Sequence, residues 1–202
     1  FTGNPYFLVL PFGYLFTLLM GVNWKTAYWI FLFTIPPSTQ LYFAGDTLSL
    51  TVPDQPIMWL FLGVFLLLLA RNPKVVPQWW WRDPMVLIVV VQFLWTIVAV
   101  IFSEMVFFSF KFLLVKTWLL VCFFFFPLWI FQTKKDFVRG FLVLLVPMLL
   151  TIIIILIHHS FYGFRFDRIQ RAITQLYYNH VDYSTVISMY FPLLIVTLWP
   201  LI

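Results

Sequence analysis

The sequence predicts an all-α fold, a polytopic helical membrane protein with about seven transmembrane helices, on three observations. Mean hydropathy is +1.01, with 63% hydrophobic and 9% charged residues, too few charges to coat a soluble surface. Apolar runs long enough to cross a bilayer recur along the whole chain. The basic residues gather in the short connections between those runs, where they report membrane orientation. The net charge of +5 therefore points to membrane sidedness and away from nucleic acid.

A helix needs about 20 mostly apolar residues to cross the hydrocarbon core, which marks runs at 5–22, 26–43, 56–71, 84–102, 110–131, 141–158 and 184–202. Pro11 and Gly13 interrupt the first, which a membrane helix tolerates where neighbours satisfy the freed carbonyl. The connection AGDTLSLTVPDQP after the second is turn-rich, with room for a short interfacial helix. Trp79, Trp80 and Trp81 precede the fourth run, and indole rings favour the headgroup region, so they are expected along the cytoplasmic interface. Cys122, the single cysteine, can form no internal disulfide and reads as a small core residue. The run Phe123 to Phe126 reads as lipid-facing or packed helix surface. No signal-peptide pattern is visible and the first residue is Phe1, so residues 1–202 are expected to form one transmembrane domain, the N-terminal part of a longer protein.

Lys25, then Arg71, Lys74 and Arg82, then Lys134, Lys135 and Arg139 occupy every second connection, which the positive-inside rule makes cytoplasmic. The intervening connections hold Asp46 and Asp54, then Glu104, then residues 159–183, and face outward. That last loop breaks the pattern, because it carries Arg165, Arg168 and Arg171. Inverting the topology would move seven basic residues outward to bring these three inward.

If the loop continues as a helix through its arginines, a spacing of three keeps them within about 120° of one face. Arginine presents a planar fork of donors that meets phosphate bidentately, which suits a diphosphate head group at the membrane surface. The plainer alternatives are contact with anionic lipid heads or pairing with Asp167. Lys111 and Lys116 fall near the outer end of the fifth run, where a lysine at a helix centre costs about 2.5–3.5 kcal/mol on insertion scales. Snorkelling accounts for Lys111, whereas Lys116 suggests a polar cavity that helps hold an anionic substrate near the outer leaflet. His180, close to Asp182, is either a general base for a sugar hydroxyl or a hydrogen-bonded residue fixing the start of the seventh run. His158 and His159 read as interfacial. The spacing of His, Cys, Asp and Glu suggests no metal site, and no glycine-rich phosphate loop is present, so no cofactor is expected.

The segment Arg171-Ala-Ile-Thr-Gln-Leu-Tyr-Tyr-Asn179-His180-Val-Asp-Tyr183, leading into an apolar helix with Pro192, resembles the O-antigen ligase and polymerase family of membrane glycosyltransferases. Pro53-Asp-Gln-Pro before a run ending Ala-Arg-Asn, the pair Phe102-Ser103, and Lys111 resemble that family's first half. The resemblance implies a GT-C-like fold in the bacterial inner membrane, with its active face periplasmic. It also implies a metal-independent transfer of glycan from an undecaprenyl-diphosphate carrier to a glycan, lipid or protein acceptor. Partners would then be carrier-linked donor, acceptor and membrane lipids, with no nucleic acid and no cofactor. Arg171, with Arg168 next in line, takes the catalytic role of engaging the diphosphate. Arg165, Lys116, Lys111, His180, Asn179 and Tyr183 are the expected substrate-binding residues. Thr174 stands where the family commonly has glycine. The family's catalytic histidine lies in a later outer loop, so His180 does not inherit that role. The resemblance leaves ligase or polymerase open, and a non-enzymatic membrane subunit or an anion or lipid transporter is the alternative.

Overall fold

The computed structural model describes residues 6–43, 48–72, 76, 78–174, 176–177 and 180–198. In chain order its elements are α1 (Tyr6–Thr34), β1 (Thr39–Phe43), β2 (Leu48–Val52), α2 (Asp54–Arg71), α3 (Pro84–Ile101), α4 (Val106–Leu120), α5 (Phe126–Ile130), α6 (Lys134–Ser160), α7 (Ile169–Ile173) and α8 (His180–Leu198). Short 3-10 turns at Gln78–Arg82 and Phe166–Arg168 precede α3 and α7, and a π turn at Val121–Phe125 joins α4 to α5. Among the described residues four helical stretches are long and apolar enough to cross a membrane: Asp54–Arg71, Pro84–Ile101, Val106–Ile130 and Lys134–Ser160. The chain is accordingly a helical membrane protein, with four such stretches where the sequence implied seven. The runs 5–22 and 184–202 fall in α1 and α8 and extend beyond the described residues. The chain divides into two compact units, Phe1–Ile57 with Ile130–Ile202, and Met58–Trp129.

In the first unit, α1 is two helices joined at Asn23, whose backbone leaves the helical region (φ −148°, ψ 83°). Its Oδ1 accepts the Thr26 N–H at 3.2 Å and so caps the second half. Lys25 therefore sits inside a helix, 5.7 Å from the Trp24 ring, and not in an open cytoplasmic loop as expected. The second half runs only from Trp24 to Thr34, roughly 16 Å at about 1.5 Å per residue, half the hydrocarbon thickness of about 30 Å. Pro36 and Pro37 end it, because proline lacks the N–H that the next turn needs. The chain then forms an antiparallel hairpin in which Thr39 faces Val52 and Leu41 faces Leu50. The expected span at 26–43 and the interfacial helix after it are thus corrected to a half-length helix and a hairpin of Thr, Leu, Tyr, Phe and Val, which favour strands.

Helix α6 begins seven residues earlier than the expected 141, because Thr133 and Asp136 form a reciprocal cap. Asp136 N–H donates to Thr133 Oγ1 at 3.3 Å, and Thr133 N–H donates to Asp136 Oδ2 at 2.9 Å. Lys134, Lys135 and Arg139 occupy its first turns. Against α1, the Arg139 guanidinium lies 5.3 Å from the Trp29 ring, which meets Phe131 edge-on at 5.5 Å. Gly140 is buried beneath Phe131, and a Cβ there would run into that ring, which is itself stacked on Phe137 at 5.2 Å. Gly140→Val is therefore expected to destabilise the α1–α6 packing by about 1–3 kcal/mol. Thermal unfolding in detergent reads this directly, and an unchanged midpoint would remove the close approach from the packing.

The second unit is held by aromatic contacts, which suit a lipid setting where packing rather than water exclusion joins helices. Phe61 of α2 is fully buried against Phe126 at 4.8 Å, Phe65 packs on Phe125 at 4.7 Å, and Trp59 meets Trp118 at 5.7 Å. Cys122 is buried in the same core. Trp80, expected at the interface, is 2% exposed and lies 4.6 Å from Phe125 and 5.2 Å from Phe124. The 3-10 turn folds it inward while Trp81 stays exposed. Asp83 then caps α3 by accepting the Met85 N–H at 2.8 Å, with Pro84 at the first helical position.

Candidate functional site

The arginine loop starts where α6 ends. Gly163 and Phe164 both adopt left-handed backbone angles (φ 64° and 54°), which reverses the chain over two residues. Glycine enters that region freely, but a phenylalanine there is a strained exception that surrounding contacts must hold. His159 supplies two of them. Its ring meets Phe164 edge-on at 5.4 Å, and its Nε2–H donates to the Arg165 carbonyl at 3.1 Å. His158 works one step further along, donating from Nδ1–H to the Ala172 carbonyl at 3.0 Å. A carbonyl only accepts, so each contact fixes which ring nitrogen carries the proton.

Arg165 itself is extended (φ −72°, ψ 131°), so the helix expected to run through all three arginines begins after it. Only Arg168 and Arg171 lie on consecutive helical turns. The correction follows from Asp167, whose carboxylate takes Arg165 Nε at 3.1 Å and Arg168 Nε at 3.4 Å and draws both side chains onto one short turn. The pairing leaves their terminal Nη nitrogens outside the two ion pairs, and both side chains stay open, 67% and 37% exposed. Arg171 belongs to neither pair and is exposed on α7, while the next two residues, Ala172 and Ile173, are buried. Three arginines and one aspartate leave this short stretch with 3 − 1 = +2 charges. Thr174 keeps right-handed angles (φ −59°, ψ −9°), so the glycine common in the resembled family has no conformational role here.

Downstream, the Tyr177 hydroxyl donates to the Pro36 carbonyl at 2.7 Å and ties the loop to the end of α1. Burial pushes the Tyr177 phenol up from its ordinary value, against the opposing pull of a Thr151 hydrogen bond. Tyr183 packs on it with ring centres 5.3 Å apart. His180 opens α8, but Asn179 and the His180 side chain lie outside the described residues. Arg165, Arg168, Arg171 and Tyr183 thus belong to the unit that contains α6 and α8, whereas Lys111 and Lys116 belong to α4 in the other unit. There Lys116 lines a cavity of about 280 Å³ whose walls are mostly apolar, with Gln92 and Thr96 as its other polar side chains.

The histidines and Tyr177 hold the loop in place, a role that sequence reasoning missed. Two adjacent histidines in the last turn of a long helix were a signal, since side chains there can bond nearby backbone carbonyls. Chemically, the loop offers an anion three guanidinium groups, with Asp167 fixing two of them. Among the described residues no group of three or more His, Cys, Asp or Glu side chains converges. No family model, curated protein or solved structure matches this chain.

Proposed function

We infer that this protein acts as a membrane glycosyltransferase of the O-antigen ligase and polymerase type, transferring glycan from an undecaprenyl-diphosphate carrier to a periplasmic acceptor. The observation that carries it is Arg171, exposed and outside the Asp167 ion pairs, in the loop that follows a membrane-length helix and also holds Arg165 and Arg168. In the transfer, an acceptor hydroxyl bonds to the anomeric carbon as the bond from that carbon to the diphosphate oxygen breaks. The electron pair stays on the diphosphate, where Arg171 and Arg168 stabilise the growing charge. The acceptor's proton goes to a base that the resemblance puts in a later outer loop. Arg165, Tyr183, His180 and Asn179 would flank the carrier, and a GT-C-like arrangement in the inner membrane is part of the proposal.

Sidedness supports it without Lys25. Arg71, Lys74, Arg82, Lys134, Lys135 and Arg139 are six basic residues on one side of the alternation, against three in the arginine loop. The capped start of α6 and the loop lie at opposite ends of one helix of 27 residues. The direct test incubates the full chain with carrier-linked glycan and candidate acceptors and follows which acceptor gains mass. A topology test runs beside it, with single cysteines at Phe166 and Gln132, both exposed, in a Cys122→Ala background. A membrane-impermeant thiol reagent should label Phe166→Cys in intact cells and reach Gln132→Cys only after permeabilisation. The reverse pattern overturns the periplasmic transferase.

A further inference from the structure

Lys116 lies outside the arginine loop and raises a separate question. It sits ten residues beyond Val106, about 15 Å along a stretch that crosses the membrane, at about 1.5 Å per residue. Its ammonium leans back toward the start of α4, 5.1 Å from the Phe112 ring one turn earlier. Among the described residues no acidic side chain pairs with it, and an intramembrane cation is expensive unless something anionic meets it.

The surroundings indicate what that anion is. The walls of the 280 Å³ cavity are apolar except for Gln92, Thr96 and Lys116. The Thr96 hydroxyl donates to the Gln92 carbonyl at 2.9 Å, so it is available to a ligand chiefly as an acceptor. Leu119, Phe123 and Phe112 beside Lys116 are 38%, 44% and 53% exposed, so the cleft opens sideways, where the bilayer lies. A second cavity of about 600 Å³ shares Thr96 and continues toward the α3–α4 turn, where Glu104 lines it. That carboxylate repels an anion arriving from the aqueous end, and lateral entry avoids it. One lysine matches one negative charge, whereas a group with two or more would be left uncompensated in a low-dielectric cleft.

We propose that the α3–α4 cleft is a binding site for one monoanionic phospholipid, with its phosphodiester on Lys116 and Gln92 and its chains leaving sideways past Leu119 and Phe123. The π turn beside the site contributes Phe123 and Phe124 to its wall, a placement that recurs where helices bind ligands.

Native mass spectrometry of the full chain in detergent, titrated with phosphatidylglycerol or phosphatidylcholine, tests this. One tightly held phosphatidylglycerol is expected, bound about tenfold more strongly than phosphatidylcholine, the scale of one hydrogen bond to a charged group. Lys116→Gln should reduce phosphatidylglycerol to the phosphatidylcholine level, Lys116→Arg should retain it, and Lys135→Gln, exposed at the start of α6, should leave it unchanged. Helical circular dichroism of each variant separates lost binding from lost fold, and if Lys116→Gln misfolds, a folded Lys116→Arg that binds the two lipids equally overturns the site. Equal binding of the two lipids, or full retention in Lys116→Gln, overturns the site. Displacement by inorganic phosphate at matched concentration overturns the lipid and leaves a small-anion site. The readout is lipid retention, so it succeeds or fails independently of glycan transfer.

Discussion

Arg171→Ala is expected to lower the rate of glycan transfer by about 10²–10³, the usual effect of removing one preorganised donor from a developing oxyanion. The size of the effect follows from which arginine is uncommitted. Asp167 already holds the Nε of Arg165 and Arg168, so part of their donor capacity is spent within the loop. Arg171 takes no part in either pair, and its whole guanidinium fork is available to a diphosphate. Arg171→Lys should therefore also fall by roughly tenfold or more, because lysine keeps the charge but loses the bidentate geometry. Arg165→Lys, at the more exposed position and outside the helix, should lose least. Single-turnover transfer from carrier-linked glycan gives the three values, and near-normal transfer by Arg171→Lys would remove the leaving-group role.

The second large effect concerns how the loop is held. Ile173 is 1% exposed and, with Ala172, forms the buried side of α7, which packs on α6 and α8. Ile173→Ala is expected to weaken that anchorage by about 2–5 kcal/mol, the range for deleting a buried branched side chain to alanine. At about 1.4 kcal/mol per tenfold, the loop should open at least tenfold more often. Limited trypsin digestion, which cuts after Arg165, Arg168 and Arg171, reports the opening as faster cleavage in the loop while cleavage at Lys134 and Lys135 stays unchanged. Equal loop cleavage in the parent and Ile173→Ala would mean that the His158 and Tyr177 hydrogen bonds hold the loop without the Ile173 side chain.

Helices crossing the middle of the chain were readable from composition, because a run of about 20 apolar residues admits few other structures in a membrane. The runs at 56–71, 84–102 and 110–131 correspond to Asp54–Arg71, Pro84–Ile101 and Val106–Ile130. What hydropathy does not register is local hydrogen bonding. Asn23 ends one helix and caps the next from inside an apolar stretch, and Thr133 with Asp136 starts a helix across three basic residues. The hairpin at 39–52 was hidden because Leu, Tyr, Phe and Val score as apolar whatever their backbone angles. At the site, the arginines stood out through charge alone, and Asp167 was a visible partner. The His158 and His159 clamps were only hinted at by their place in the last turn of a helix, since the backbone carbonyls they bond lie 14 and 6 residues further on, beyond the three or four of a helical repeat.

The π turn at Val121–Phe125 has a further consequence, for helical phase. Trp118 and Phe126 are eight residues apart, which at about 100° per residue in an unbroken α-helix would separate them by about 80°. A π turn accommodates one extra residue, which removes one step of about 100° and brings the two side chains to within about 20° of each other. Both are in fact buried, Trp118 against Trp59 and Phe126 against Phe61. The turn therefore acts as a phase corrector. It lets α4 and α5 show one continuous aromatic stripe to α2, although the spacing of their residues belongs to two different helical registers.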